Sequence, residues 1–155
     1  MILSEPLNFY LELLADSRYQ LTNAGGLCKF AAPATVRGLA KLYTVAAAGA
    51  LIYVGVADQP MSSRLTLGFR ANGKGGYHGY KWKQLRSRLN LTVWTAMIGD
   101  RRATFRELET VEAEVAFLCR QRSGQWPAYQ HEIHFYESDA GHRAAAEGVY
   151  SHAVS

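Results

Sequence analysis

The chain has 155 residues, a formal charge of +4, 48% hydrophobic residues and 19% charged residues. That length suits one domain with a sizeable core, and the apolar share excludes a disordered charged tail, which could not recover its ordering entropy by burial. The richest apolar stretch, Leu39 to Val56, is broken by Lys41, Thr44 and Gly49, whereas a membrane span needs ~20 continuous apolar residues.

Met1 to Asp16 carries Glu5, Glu12 and Asp16 without a basic start and does not read as a secretory signal. Cys28 and Cys119 have neither metal-ligand spacing nor the count of a disulfide framework. A cytoplasmic location is the resulting expectation. Ser4-Glu5-Pro6 has the form of a helix start, with a hydroxyl cap and an early proline. Leu7, Tyr10, Leu11 and Leu14 then recur at helical spacing, which predicts a helix to about Ala15. Residues 17–38 are mixed, with a turn at Asn23-Ala24-Gly25-Gly26 and a breaker at Pro33. Residues 1–40 are therefore expected to form an extension packed on a core at 41–136, with a helical tail at 137–155.

Leu42 to Ala46 and Leu51 to Val56 are β-rich runs joined by Ala47-Ala48-Gly49, a hairpin pattern. Asp58 and Pro60 open a helix over about Met61 to Phe69 that carries Arg64. A short helix over His78 to Arg88 and a central strand over Leu91 to Ile98 are predicted next, the strand apolar on both faces. Phe105, Leu108, Val111, Val115 and Leu118 make one apolar stripe of a long helix, flanked by Glu107, Glu109, Glu112 and Glu114 and ended by Gly124. A short strand over His131 to Tyr136 and an alanine-rich helix over Ala140 to Glu147, with a frayed end, complete the set. The predicted fold is α+β, a small central three-stranded antiparallel sheet flanked by helices.

Charge is distributed unevenly. Between Gln59 and Gly99 there is no Asp or Glu, yet seven cations occur there: Arg64, Arg70, Lys74, Lys81, Lys83, Arg86 and Arg88. Such a field attracts a polyanion, phosphate above all. Phe69, Tyr77, Tyr80 and Trp82 are interleaved with these cations, and rings of this kind stack on bases while cations hold the backbone. The glycine-rich stretch from Gly68 to Gly79 reads as a loop facing a ligand, without the Gly-Lys-Ser/Thr ending of a Walker loop.

Read in order, the chain contains Tyr43 in the first hairpin arm, Tyr53-Val54-Gly55 in the second, Arg64 nine residues after Gly55, Glu112 on the long helix, and Pro127-Ala128-Tyr129-Gln130. From Leu42 to Gln130 this pattern resembles the GIY-YIG endonuclease family. The restriction-enzyme branch, in which a histidine joins the site, is the closer comparison, with His78 in that role. The chain differs from the family pattern in having Lys41-Leu42 before Tyr43, Val56 after Gly55, and Gln130 where an Asn is usual.

The resemblance implies a DNA endonuclease of restriction or mobile-element type that depends on a divalent metal and acts on double-stranded DNA. Glu112 would hold Mg²⁺ or Mn²⁺, with Glu114 as the alternative ligand; Mg²⁺ keeps several waters and needs few protein ligands. Arg64 would grip the phosphate with its planar fork. The resemblance assigns the water's proton to Tyr43, with Tyr53 positioning water or phosphate, while His78 is the alternative base because an imidazole titrates near neutrality. Arg70, Lys74, Lys81, Lys83, Arg86 and Arg88 are the candidate DNA-binding residues. One site per chain would cut both strands through a homodimer or by successive nicks. The same residues also suit a catalytically degenerate module that binds nucleic acid without cutting it. An enzyme acting on a phosphorylated small molecule would instead present a deep closed pocket.

Overall fold

A computed structural model describes residues 1–155, in nine strands and three α-helices. In chain order the strands are β1 (Ile2–Leu3), β2 (Leu7–Leu13), β3 (Tyr19–Asn23), β4 (Gly26–Leu27), β5 (Lys41–Ala47), β6 (Ala50–Ala57), β7 (Leu89–Trp94), β8 (Ala96–Ile98) and β9 (Arg101–Arg102). The helices are α1 (Met61–Arg70), α2 (Phe105–Ser123) and α3 (Ala140–Ala153). Six strands form one antiparallel sheet in the order β4-β3-β2-β7-β5-β6, and a small sheet has the order β1-β8-β9.

The class is α+β, as the sequence predicts, but the central sheet is larger. The three expected strands are adjacent as β7-β5-β6, and β2, β3 and β4 extend that sheet through the β2–β7 pairing. The helix predicted over residues 4–15 is therefore a correction. Leu7, Phe9, Leu11 and Leu13 alternate with Asn8, Tyr10 and Glu12, and exposure follows that period of two. The helical spacing fails at its end, because Leu14 is exposed. Ser4 caps no helix; its backbone and hydroxyl bond to Thr95.

The β5–β6 hairpin closes through Ala48 and Gly49, both at positive φ, which matches a tight two-residue turn whose twist suits the strands. A register shift at Val45/Ala46 leaves Ile52 unpaired in the β5–β6 ladder. The strand expected over residues 91–98 breaks at Thr95, so that β7 sits in the large sheet and β8 in the small one. The predicted helix over 78–88 contracts to a 3-10 turn, Lys81–Gln84, anchored by buried Trp82. Helix α2 begins at a capping box, Thr104 with Glu107, and ends at left-handed Gly124. Helix α3 runs past Glu147 because Val149, Tyr150 and Ala153 continue its buried face. The expected strand over His131 to Tyr136 is absent: those residues form no ladder and only Ile133 packs on the core.

Two apolar layers result, one on each face of the large sheet. Leu42, Leu51 and Val54 pack with α2 and α3 on one face. Tyr43, Tyr53, Leu65, Phe69, Tyr80 and Trp82 form the other with α1. No helix of the chain is long and apolar enough to cross a membrane.

Candidate active site

Strand pairing brings the two motif tyrosines together and shows why glycine stands at position 55. Gly55 lies opposite Tyr43 in the β5–β6 register. A Cβ there would fall 2.8 Å from Tyr53 Cε1 and 2.9 Å from Tyr43 Cζ and Oη. The two rings lie over this glycine with their centroids 5.8 Å apart.

A third tyrosine completes the cluster. Tyr43 Oη and Tyr80 Oη are 2.7 Å apart, both buried. Tyr80 stacks on Trp82 at 4.5 Å and meets Tyr53 edge-on at 5.4 Å. Arg64, on α1, carries its guanidinium 4.7 Å above the Tyr80 ring and donates from Nη1 to Tyr77 Oη at 2.9 Å. Burial pushes the Tyr43, Tyr53 and Tyr80 phenols well above their ordinary range, and the Arg64 charge only partly offsets this. Burial opposes the charge on Arg64 as well, but the surrounding phenols leave its acidity weaker than usual. The phenols are thus neutral at physiological pH.

Glu112 approaches from the other side of β6. It is half-buried on α2, and burial, helped by the negative field of Glu109, raises its carboxyl from 4.5 to about 8; Gln130 and Arg64 pull it back in part. Gln130 is a bracket between helix and strand. Its Oε1 accepts from the Val54 N–H at 3.0 Å. Its Nε2 donates to the Val54 carbonyl at 2.9 Å and to Glu112 Oε1 at 3.3 Å. The other glutamates of α2 are otherwise engaged: Glu107 in the cap and with Arg101, Glu109 with Tyr136, and Glu114 with Ser138.

An open groove of about 850 Å³ runs beside this cluster, lined in part by Tyr53, Arg64, Tyr77, His78, Tyr80, Lys81, Lys83 and His131. Tyr43 and Glu112 are not among its lining residues. Of the other expected nucleic-acid contacts, only Lys81 and Lys83 reach the groove. Lys83 holds the glycine-rich loop closed, donating to the carbonyls of Ala71 at 2.6 Å and His78 at 2.8 Å. Arg88 instead lies 4.1 Å over the Tyr10 ring. Arg70 and Arg86 line a separate hollow near Asp16, and Lys74 is exposed on the loop.

Sequence reasoning named Tyr77 and Tyr80 only as rings interleaved with the cations and did not place them, or His131, beside Arg64. The detectable signal for Tyr80 was a glycine inside a helix: a Cβ on Gly68 would fall 2.2 Å from the Tyr80 ring, the close approach that an isolated helical glycine marks. No group of three or more His, Cys, Asp or Glu gathers anywhere in the chain. A single carboxylate still fits a hydrated Mg²⁺, and Glu112 is a half-buried acid that accepts from Gln130 and whose charge Arg64 offsets only in part. Compared with known protein families, with curated proteins and with solved structures, the chain matches none.

Proposed function

We propose that the chain is a divalent-metal-dependent DNA endonuclease that hydrolyses phosphodiester bonds, resembling the GIY-YIG enzymes of the restriction branch. The observation that carries this reading is the meeting of Arg64 with Tyr77 and Tyr80 at one wall of an open cationic groove that Tyr53 also lines, with Glu112 bracketed behind β6. An open groove with a stacked guanidinium suits a phosphate within a polymer better than a small enclosed metabolite.

In this reading Arg64 binds the scissile phosphate and offsets charge developing on its oxygens. Lys81 holds a flanking phosphate, and Tyr77 and Tyr53 present rings and hydroxyls to the strand. Glu112 would hold Mg²⁺ or Mn²⁺, which when bound polarises the phosphate and stabilises the leaving oxygen. Tyr43 is buried and its phenol is neutral, so we assign the attacking water's proton to His78, an imidazole on the groove wall. Tyr43 then orients the cluster.

Incubation of the purified chain with supercoiled plasmid tests the reading. Nicked or linear DNA is expected with Mg²⁺, and none with EDTA or with Glu112→Ala. Arg64→Ala is expected to abolish cutting while gel-shift affinity stays within about tenfold. Intact supercoiled DNA under every divalent ion and on varied substrates would reject it. The alternative, a module that binds nucleic acid without cutting, is favoured by one observation: Glu112 and Tyr43 do not open onto the groove. It predicts salt-sensitive binding by an inert protein.

A further inference from the structure

Tyr80 belongs to no part of the tyrosine motifs, yet the fold makes an unusual accommodation for it. Its ring occupies the space a side chain on Gly68 of α1 would fill, with the virtual Cβ 2.2 Å from Tyr80 Cε2. The preceding Gly79 has φ +70° and comes so close to α1 that its own Cβ would collide with the Gly68 carbonyl. The Tyr80 N–H donates to that carbonyl at 3.1 Å. Two glycines and one backbone bond therefore seat a single phenol at the base of α1. From there it makes two polar contacts, its hydroxyl to Tyr43 and its ring face to Arg64. A simple filler of the apolar layer would need neither contact.

We infer that Tyr80 is a positioning residue of the proposed site: its ring fixes the Arg64 guanidinium at the groove wall, and its hydroxyl fixes the Tyr43 phenol. Arg64 is held from two directions, by the Tyr80 ring beneath and the Tyr77 hydroxyl beside it. Removal of the ring frees the long side chain to adopt other rotamers, so that phosphate must order it again on binding. Removal of only the hydroxyl leaves the platform and breaks the link to Tyr43. The two roles are therefore separable by substitution. The catalytic arm rests on the nuclease reading, whereas the geometric arm does not.

The test compares Tyr80→Phe, Tyr80→Leu and Arg64→Lys with the unaltered chain. Tyr80→Phe is expected to slow single-turnover cleavage about 10-fold to 100-fold with oligonucleotide affinity unchanged. Its effect should not add to that of Tyr43→Phe, because both remove the same hydrogen bond. Tyr80→Leu and Arg64→Lys are expected to weaken oligonucleotide binding about threefold to fivefold as well, inside the bound set for Arg64→Ala. In NMR spectra of labelled protein, the Arg64 Nε–H proton should be shifted upfield by the Tyr80 ring, kept so in Tyr80→Phe and returned to a normal position in Tyr80→Leu. Folding of each variant is checked by its amide spectrum. Wild-type cleavage by a folded Tyr80→Phe, or additive effects with Tyr43→Phe, would overturn the hydroxyl role. An Arg64 signal and an affinity indifferent to Tyr80→Leu would overturn the platform role. A Tyr80→Leu chain that does not fold leaves that decision to Arg64→Lys, whose unchanged affinity would equally overturn it. If the unaltered chain cuts no DNA, the nuclease reading fails, and the Arg64 signal and affinity still decide the platform role.

Discussion

Gly55→Ala puts the ring geometry of the site to a direct test. The added methyl would sit 2.8 Å from Tyr53 Cε1 and 2.9 Å from Tyr43 Cζ and Oη, against ordinary carbon contacts of ~3.5–4.0 Å. The rings must therefore retreat by about 0.6–0.7 Å or more. Both are hemmed in by neighbouring rings. Tyr43 is fully buried with its hydroxyl 2.7 Å from Tyr80, and Tyr53 is flanked by Tyr80 at 5.4 Å and Trp82 at 6.1 Å. Overpacking of this kind costs ~1–3 kcal/mol, and stretching the Tyr43–Tyr80 bond forfeits ~1 kcal/mol more. A total of ~2–4 kcal/mol lowers Tm by roughly 4–16 °C at this chain length. Calorimetry or circular dichroism reads that shift, and plasmid cutting should fall with it. Tyr43→Phe in the Gly55→Ala background removes one of the clashing atoms, so the double variant should melt above the value given by adding the single effects. A Gly55→Ala chain that melts within about 1 °C of the parent would refute the claim that the rings fill this space.

Three further outcomes are expected. The folded chain holds the Glu112 proton up to about 8, against 4.5 for the free acid; its contribution is fully present below 4.5 and is lost as pH rises toward 8. That loss, discounted for partial solvent access, is ~2 kcal/mol, so in metal-free buffer the melting advantage of Glu112→Gln over the parent should grow across this interval, and equal differences at pH 4 and pH 9 would contradict it. Ala48 has φ 50° in the β5–β6 turn; Ala48→Asn should stabilise the chain by ~1 kcal/mol without changing oligonucleotide affinity, read by urea unfolding. Lys83→Met breaks the bonds to Ala71 and His78 and should increase amide exchange in residues 72–79 by about tenfold or more while leaving exchange in α2 unchanged.

The parts legible from sequence were those in which local pattern and tertiary burial agree. Helix α2 announced its stripe and its glycine stop, and the hairpin its two β-rich runs around a small-residue turn. Leu7 to Leu13 satisfied two periods at once, and the pairing with β7, 80 or so residues away, selected the strand. Residues 131–136 carry a plausible alternation but join no ladder; at the edge of β6 just before them, the Tyr129 N–H takes the Ile52 carbonyl and Gln130 takes Val54. The cation-rich segment was visible as charge, but not as geometry: its members diverge to the groove, to the loop carbonyls and to the Tyr10 ring. Tyr80 was legible only as a ring among the cations, because its seat depends on two glycines separated in sequence that meet only in the folded chain.

The bracket formed by Gln130 has a consequence beyond the site. Strand β6 ends the large sheet, and an unoccupied margin of a sheet is a template on which another polypeptide can add itself. A single amide side chain imitates a neighbouring strand at Val54, answering both its N–H and its carbonyl. At that residue the outer edge of the strand that bears Tyr53 is already answered, by the same side chain that steadies the acid behind it.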